Sequence, residues 1–266
     1  LDCGTDDGKE IALAKKLGID TIVIDHHLIN SPKPKALAFI NPQKAKFSSL
    51  KQLCASGLVY KLGQVLADYF KIDIKISSFL DLVAIATVFD KREIRGENLT
   101  FLKKGKNILK KTQRLGLKLL KNDSDLETIG QKLNISPLLS LKLLLTKNRE
   151  EAKILVEKIN KEYCLKEKQI KKVFGLIQKI ISKDEKLFIF INGKILPKTV
   201  SLGVLSTKIL ERYHKPVFIY RRLGKYYHGS ARAPKNYNLV KIMGKCSSFL
   251  LNFGGHPQAA GFAIKP

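Results

Sequence analysis

Long apolar runs are absent from this 266-residue sequence, and so are closely paired cysteines. No run approaches the roughly 20 residues that a membrane-spanning helix needs, which argues against a helical membrane protein. The four cysteines, Cys3, Cys54, Cys164 and Cys246, are widely separated and form no Cys-x-x-Cys pair. This spacing argues against a disulfide or zinc framework and predicts reduced thiols in a cytoplasmic protein.

Acidic residues are scarce as well. The chain contains 23 Asp plus Glu against 49 Lys plus Arg, which gives a formal net charge of +26. A positive excess of this size favours a polyanionic partner such as nucleic acid. The lysines are spread over most of the chain, however, and a lysine-rich proteome would place the same excess on solvated surfaces. Charge alone leaves both interpretations open.

The first 27 residues carry a strand–helix–strand pattern. The β-branched run 21–24 predicts a buried strand, residues 10–17 predict a helix, and the first residues resemble the end of another strand. Asp2 and the sequence Asp25-His26-His27 would then meet at the carboxyl edge of a parallel sheet, where open α/β folds bind ligands. Two carboxylates and two imidazoles at one edge indicate a metal site. The alternative is that the histidines only cap a strand.

A further acidic group follows the next buried segments. Residues 56–69 and 78–88 predict apolar helices, and the second of them leads into Asp90. Asp90 is therefore a candidate third metal ligand, although a carboxylate in this position also serves as a helix-end or turn residue. The strongly polar turn 90–98 follows it.

The middle of the chain predicts helices joined by short loops. Residues 98–145 show this pattern, with Ser124 and Glu127 as a capping box and Ser136-Pro137 as a helix start. Residues 150–182 form one long amphipathic stripe without a strict heptad. Packing in a core is therefore favoured over a coiled coil, and the long helix is predicted to bridge two domains.

The C-terminal part predicts a smaller α/β domain with candidate phosphate ligands. Strands are predicted at 187–191, 216–220 and 225–232, and helices at 202–213 and 240–252. Ser230 and Arg232 offer a hydroxyl and a guanidinium that binds phosphate in a bidentate manner. Gly254 and Gly255 expose backbone N–H groups, and His256 adds a donor that becomes cationic. Together these groups indicate a clamp for a phosphate ester.

In their order along the chain, these motifs resemble the DHH phosphoesterase superfamily. The matching segments are Leu1-Asp2-Cys3-Gly4-Thr5, Ile24-Asp25-His26-His27, Ala86-Thr87-Val88-Phe89-Asp90 with Gly96-Glu97-Asn98, and Gly254-Gly255-His256-Pro257-Gln258-Ala259-Ala260-Gly261. The last segment is similar to the signature of the DHH-associated C-terminal domain. Within the superfamily, the chain most resembles the RecJ single-stranded-DNA exonucleases.

The resemblance implies an α/β fold in three parts. Residues 1–112 would be the C-terminal portion of a parallel-sheet DHH domain, residues 113–183 a helical connector with a long helix, and residues 184–266 a smaller α/β DHH-associated domain that binds substrate. It also implies a hydrolase with two divalent ions, Mn²⁺ or Mg²⁺, in the complete site.

The resemblance also assigns roles by motif position. Asp2, His26 and Asp90 are the implied metal ligands, and Asp25 is either a ligand or a group that orients a neighbour. His27 would face the scissile phosphate and would act with Asp25 and His26 in catalysis. Substrate phosphates would be bound by His27 together with Ser230, Arg232, Gly254, Gly255 and His256.

The function implied by the resemblance is 5′-to-3′ exonuclease action on single-stranded DNA in recombination and repair. Single-stranded DNA is the expected partner of a monomer that does not bind membranes, and a single-strand-binding protein is a further candidate. The alternatives are a DHH phosphodiesterase of short oligonucleotides or cyclic dinucleotides, and a nucleic-acid-binding scaffold that has lost its chemistry.

Two departures from the family pattern bear on activity. The family's upstream Asp-x-Asp motif does not occur in this chain, which begins without Met, so we expect a fragment that is inactive by itself. The turn after Asp90 is apolar in the RecJ pattern but reads Lys91-Arg92-Glu93 here.

Overall fold

The chain folds into two compact units, Leu1–Tyr163 and Cys164–Pro266. The structure is a computed structural model that describes residues 1–29, 31–46, 48–122, 124–181 and 187–264. The junction predicted between residues 183 and 184 lies outside the described residues, and the division into three parts remains a prediction.

The first unit contains a two-stranded parallel sheet and a set of helices. Its elements in chain order are α1 (Gly8–Lys16), β1 (Ile22–Ile24), β2 (Ala38–Ile40), α2 (Ala55–Tyr69), α3 (Leu80–Phe89), α4 (Glu97–Lys110), α5 (Leu115–Leu120), α6 (Leu126–Leu133), α7 (Pro137–Leu145) and the start of α8 (Arg149–Ile181). In the sheet, Ile22, Val23 and Ile24 pair with Ala38, Phe39 and Ile40. Parallel pairing brings the carboxyl ends of β1 and β2 to one edge, as the sequence predicted.

Two apolar cores hold the first unit together. One lies beside β1 and contains Ile24, Leu53, Leu58, Leu80, Val83 and Phe101. The other contains residues of α3 to α7 together with Ala152, Leu155 and Ile159 of α8. The long helix thus packs in a core, as its stripe predicted. On α2 the predicted apolar face is only partly buried, because Tyr69 at its end is 76% exposed.

The second unit is a five-stranded mixed sheet with helices. After the end of α8, its elements are β3 (Ile189–Asn192), α9 (Leu202–Tyr213), β4 (Val217–Leu223), β5 (Tyr226–Arg232), α10 (Leu239–Lys245), β6 (Leu250–His256) and β7 (Ala259–Ile264). The strand order is β3-β4-β5-β7-β6, and only β3 and β4 are parallel. The α8 and α9 helices cover one face through Ile177, Leu205 and Ile209, which pack with Val217 and Ile219.

The predicted α/β class is confirmed, but three local predictions were wrong. The helix predicted at 240–252 ends at Lys245, and residues 250–256 form β6 instead. Residues 1–4, which the structure describes, are not part of a strand, although the N–H of Asp2 donates to the carbonyl of Ile24 at 2.9 Å. The α6 helix is capped by Asp125, whose side chain accepts from the N–H of Thr128, and not by Ser124.

A membrane-spanning helix must be both long and apolar. Among the helices that the structure describes, none combines the length and the hydropathy needed to span a lipid bilayer.

Candidate metal centre and phosphate cradle

The carboxyl edge of the β1–β2 sheet carries the Asp25-His26-His27 sequence directly after β1. Asp25 continues the strand pairing, since its N–H donates to the carbonyl of Ile40 at 3.0 Å. Asn41 occupies the matching position after β2. Because both strands run in the same direction, their polar continuations lie together at the edge.

Asp25 holds this loop in place from inside the protein. It is 1% exposed and accepts from the N–H of Thr5 at 3.0 Å and from the N–H of His26 at 2.7 Å. Its Oδ1 also lies 2.7 Å from Nδ1 of His27. Burial by itself would raise the pKa of Asp25, but the hydrogen bonds from His27, Thr5 and His26 outweigh it and hold that pKa well below its ordinary value.

The buried imidazole of His26 lies close to two carboxylates from other parts of the chain. Its Nε2 is 3.1 Å from Oδ1 of Asp2, and its Nδ1 is 3.9 Å from Oδ2 of Asp90. Asp2 has a φ of +62°, in the left-handed region that aspartate tolerates better than most residues. The N–H of Asp2 donates to the carbonyl of Ile24, which lies two positions before His26. This hydrogen bond places Asp2 beside the sheet edge.

Asp90 and Arg92 form the third side of the cluster. Asp90 ends α3, and burial raises the pKa of its carboxyl group. Nε of Arg92 lies 3.8 Å from Oδ2 of Asp90 and also donates to the carbonyl of Gln52 at 2.9 Å. A second guanidinium nitrogen donates to the carbonyl of Lys51 at 3.0 Å. A fixed cation thus stands beside Asp90 in the turn that is apolar in the RecJ pattern.

His27 is the more solvent-accessible of the two histidines in the cluster. Its side chain is 36% exposed, and its ring is tilted by 56° to that of His26 with 4.7 Å between the centroids. The hydrogen bond to Asp25 raises the pKa of His27 above its ordinary value of 6.5. This pair can hold a proton on His27 at the mouth of the cluster.

The donor set fits a divalent metal ion that prefers oxygen ligands. One ligand atom from each of Asp2, Asp25, His26 and His27 falls in a group whose members all lie within 4.8 Å of one another. Carboxylate oxygens with an imidazole suit Mn²⁺ or Mg²⁺, and the carboxylate of Asp2 is exposed. Asp25 directs both oxygens to N–H donors and therefore serves to position its neighbours.

Three further residues support the cluster, and of these only Asn98 lies in a motif singled out from the sequence. Asn41 donates to the carbonyl of His27 at 3.0 Å, and Gln43 donates to the carbonyl of His26 at 3.4 Å. Asn98 is fully buried and donates to the carbonyls of Gln52 and Glu93, both at 2.9 Å. The position of Asn41 directly after a second parallel strand was the available signal for this residue.

A second polar site lies in the second unit, where the start of α9 meets β5. Nη1 of Arg232 donates to Oγ of Ser230 at 3.0 Å, and its Nε donates to Oγ1 of Thr207 at 3.2 Å. Desolvation lowers the pKa of Arg232. At Gly203, in the first turn of α9, an added Cβ would lie 3.1 Å from Nη2 of Arg232. We call Ser201, Gly203, Ser230 and Arg232 the phosphate cradle, since a guanidinium, hydroxyls and helix N–H groups converge there.

Strand register shows which predicted phosphate ligands share the cradle's face of the sheet. Arg232 pairs with Ala259, which pairs with His256, and Ser230 pairs with Gly261, which pairs with Gly254. Directly paired residues point to the same face, so Ser230, Arg232, Gly254 and His256 lie on the α9 face. The glycine pair 254/261 borders a hollow of about 370 Å³.

Gly255 does not share the α9 face with Ser230, Arg232, Gly254 and His256. It pairs with Ala260, whose side chain packs with α10 on the opposite face. Its φ is +131°, and an added Cβ would lie 2.4 Å from the carbonyl oxygen of Ala259. Gly254 and Gly255 thus belong to strand β6 and not to a turn that presents adjacent N–H groups.

Two known domain families match parts of the chain. Residues 1–87 match the DHH family, N-terminal domain, and residues 186–266 match the DHHA1 domain. The resemblance drawn from the motifs is thereby confirmed.

Relatives and solved structures agree with these matches. The single-stranded-DNA-specific exonuclease RecJ of Bacillus subtilis is 28% identical and covers 100% of this chain and 36% of its own length. RecJ of Thermus thermophilus is 26% identical over 99% of this chain and 40% of its own length. A crystal structure of Thermus thermophilus RecJ with Mn²⁺ has the same fold, with a TM-score of 0.85, 23% identity, and coverage of 100% of this chain and 42% of that one. The chain thus spans less than half the length of these relatives.

Proposed function

We propose that this chain, which belongs to the DHH family, supplies the metal-binding and phosphate-binding parts of a divalent-metal-dependent phosphodiester hydrolase of the RecJ type. The proposed substrate is single-stranded DNA, digested from its 5′ end, in recombination and repair. The relatives named above are single-stranded-DNA-specific exonucleases, and the chain's net charge of +26 suits a polyanionic substrate.

One observation carries the proposal. The His26 imidazole lies 3.1 Å from a carboxylate oxygen of Asp2 and 3.9 Å from one of Asp90. These three residues come from three separate chain segments, and only folding brings them together. Such a constellation suits a bound Mn²⁺, which would activate water and neutralise charge on the phosphate.

The chain's other residues have distinct proposed tasks. His27, whose pKa is raised by its hydrogen bond to Asp25, donates a hydrogen bond from its imidazole to an oxygen of the scissile phosphate. Arg232 and Ser230 bind a phosphate of the DNA. Arg92 keeps the Asp90 carboxylate in one orientation through the fixed charge beside it.

Metal binding by the chain tests the proposal directly. Titration with Mn²⁺, followed by loss of the electron paramagnetic resonance signal of the aquo ion, should show a site that His26→Ala and Asp90→Asn weaken by at least about tenfold. Asp73→Asn, at an exposed carboxylate away from the cluster, is the control. Equal Mn²⁺ affinity in the wild type and both ligand variants would remove the metal centre from the proposal.

Hydrolysis tests the substrate assignment in the protein that contains this chain. We expect Mn²⁺-dependent release of mononucleotides from long single strands with a free 5′ end, and loss of that turnover in His26→Ala. A preference for oligonucleotides of two to four residues, or for cyclic dinucleotides, would instead identify a short-substrate phosphodiesterase.

A further inference from the structure

The face of the second unit's sheet that lies opposite α9 carries a row of aromatic side chains. Strand register places Phe190, Phe218 and Tyr220 on this face, together with Tyr227 and Phe262. We call these five residues the aromatic row. The α10 helix covers part of this face through Leu239 and Met243, which form a core with Ala231 and Ala260, and Phe218 and Phe262 of the row pack against that core.

The rings of the row are in contact with one another. Phe190 and Phe218 are stacked, with 4.9 Å between centroids and 9° between planes. Tyr220 and Tyr227 meet edge to face at 5.8 Å. The ring of Phe262 lies over Gly229, where an added Cβ would come within 2.1 Å of it. These contacts hold the rings in fixed orientations.

The outer end of the row is uncovered. Phe190 is 64% exposed although it sits in the middle of β3, and its stacked partner Phe218 occupies only one side of its ring. Tyr220 and Tyr227 are half-buried. An exposed ring that continues into half-buried aromatic neighbours marks a binding site more often than an isolated apolar residue does.

Cations lie near the Tyr220–Tyr227 end of the row. Arg222 follows Tyr220 by two positions on β4 and pairs with Tyr227, so it points to the aromatic face. It is exposed, and its Nε donates to the carbonyl of Gly224 at 3.2 Å. Because β3 and β4 are parallel, Lys194 after β3 and Lys225 in the β4–β5 turn flank this end as well.

Charge in the rest of the sheet domain has the same sign. From residue 187 to residue 264 the sequence contains twelve Lys and Arg but one acidic residue, Glu211. An acidic protein surface would match the cations but would not by itself supply flat groups that stack on the rings. Unpaired nucleobases present flat π-surfaces at intervals along a polyanion.

We propose that the aromatic row binds single-stranded nucleic acid, with bases stacked on Phe190 and against Tyr220, and with phosphates bound by Arg222, Lys194 and Lys225. Duplex bases already stack on one another, so the row selects unpaired strands. The site lies on the sheet face opposite the phosphate cradle and needs no metal ion. It goes beyond the proposed function, because binding here does not require hydrolysis.

Binding of unlabelled dT20 to the whole chain in EDTA gives a readout in the wild-type protein. The sequence has eight tyrosines and no tryptophan, so tyrosine emission is observable and a base stacked at Tyr220 should quench it. An abasic 20-mer, which keeps the phosphates and lacks the bases, should bind more weakly by about tenfold and quench little. Equal affinity for the two strands would overturn the proposal.

Variants locate the site. Phe190→Leu keeps an apolar side chain at an exposed position and should weaken dT20 binding by about tenfold, as expected for the loss of one stacked base. Tyr69→Leu, at a 76% exposed tyrosine of α2 in the first unit, is the matched control and should leave affinity unchanged. Unchanged affinity in Phe190→Leu, or an equal loss in Tyr69→Leu, would contradict the assignment. Self-association that Phe190→Leu abolishes while DNA binding persists would instead identify a second copy of the chain as the occupant.

EDTA separates this result from the nuclease proposal. If the metal centre or the hydrolysis test fails, base-dependent binding at the aromatic row can still be observed. If the row fails, Mn²⁺ binding at His26 is unaffected.

Discussion

Nδ1 of His27 lies 2.7 Å from Oδ1 of the buried Asp25. This contact raises the pKa of His27, because hydrogen bonding and charge attraction to Asp25 favour the imidazolium, and it lowers the pKa of Asp25. The protonation of each residue therefore depends on that of the other, at the exposed side of the proposed metal centre.

The stability of the metal-free protein should consequently depend on pH through His27. A group whose pKa is higher in the folded state contributes its full stabilisation below its unfolded pKa, here 6.5, and loses it as the pH rises through the folded value. The free energy of unfolding should therefore fall as the pH increases above 6.5. Asp25 acts in the opposite direction: its stabilisation is present above pH 3.8 and is lost as the pH falls toward its lowered pKa.

Urea denaturation from about pH 6 to about pH 9 measures this dependence. His27→Gln should lose the part of the slope that His27 contributes, whereas His228→Gln, at an exposed histidine of β5, should keep it. Parallel curves for the wild type and His27→Gln would show that the ion pair does not form in solution.

The phosphate cradle depends on the missing side chain at Gly203. A Cβ there would stand 3.1 Å from Nη2 of Arg232 and 3.6 Å from Oγ of Ser230, so Gly203→Ala should displace the guanidinium. We expect weaker binding of 5′-phosphorylated oligonucleotide in EDTA for Gly203→Ala, and also for Arg232→Lys, which keeps the charge but loses the planar fork. Gly63→Ala, whose Cβ would meet only Ile76 at 3.7 Å, is the control. Full affinity in Gly203→Ala would place the phosphate elsewhere.

Close packing of α3 and α4 predicts a large effect at Gly105. An added Cβ would lie 2.2 Å from the carbonyl oxygen of Leu80 and 2.5 Å from Cβ of Ala84, so Gly105→Ala must push the helices apart. We expect a loss of about 1–3 kcal/mol in the free energy of unfolding.

Gly175 of α8 supplies the matched comparison, because an added Cβ would meet nothing within 4 Å. Gly175→Ala should stabilise the protein by about 0.5–1 kcal/mol through helix propensity. Denaturant unfolding of both variants checks the pair, and a similar effect of the two substitutions would argue against the tight α3–α4 contact.

The cap of α6 distinguishes two neighbouring residues. Asp125 accepts from the N–H of Thr128 at 2.7 Å, whereas Oγ of Ser124 accepts from Nζ of Lys132 at 2.9 Å. Asp125→Ala should cost about 1 kcal/mol of stability, and Ser124→Ala clearly less. The reverse order in thermal or urea unfolding would restore the capping box predicted from the sequence.

The sequence predicted secondary structure best where one short pattern covers one whole helix or strand. The helix predicted at 202–213 matches α9 at both ends, and in the structure the side chain of Ser201 caps its start. The Gly254-Gly255 segment was harder to interpret, because glycine pairs occur mostly in turns, and its partner strand β7 is needed to recognise β6. The prediction that Ser124 caps α6 failed for a related reason. Ser and Asp are both good N-cap residues, and which of the two caps the helix depends on where its first turn starts.

The sequence by itself determined the α/β class, the domain families and the residue types of the proposed metal centre, because periodicity and motif order are local properties of the chain. The sequence predicted that Asp2 meets the Asp25-His26-His27 segment. Only the tertiary structure decided the distances from His26 to Asp2 and Asp90, the inward direction of the Asp25 oxygens, and the position of Arg92 beside Asp90. It also decided that Phe190, Phe218 and Tyr220 share one face of the sheet, on which Phe190 is exposed. These are distances between residues far apart in sequence, and they are set by strand register and packing, which no single segment encodes.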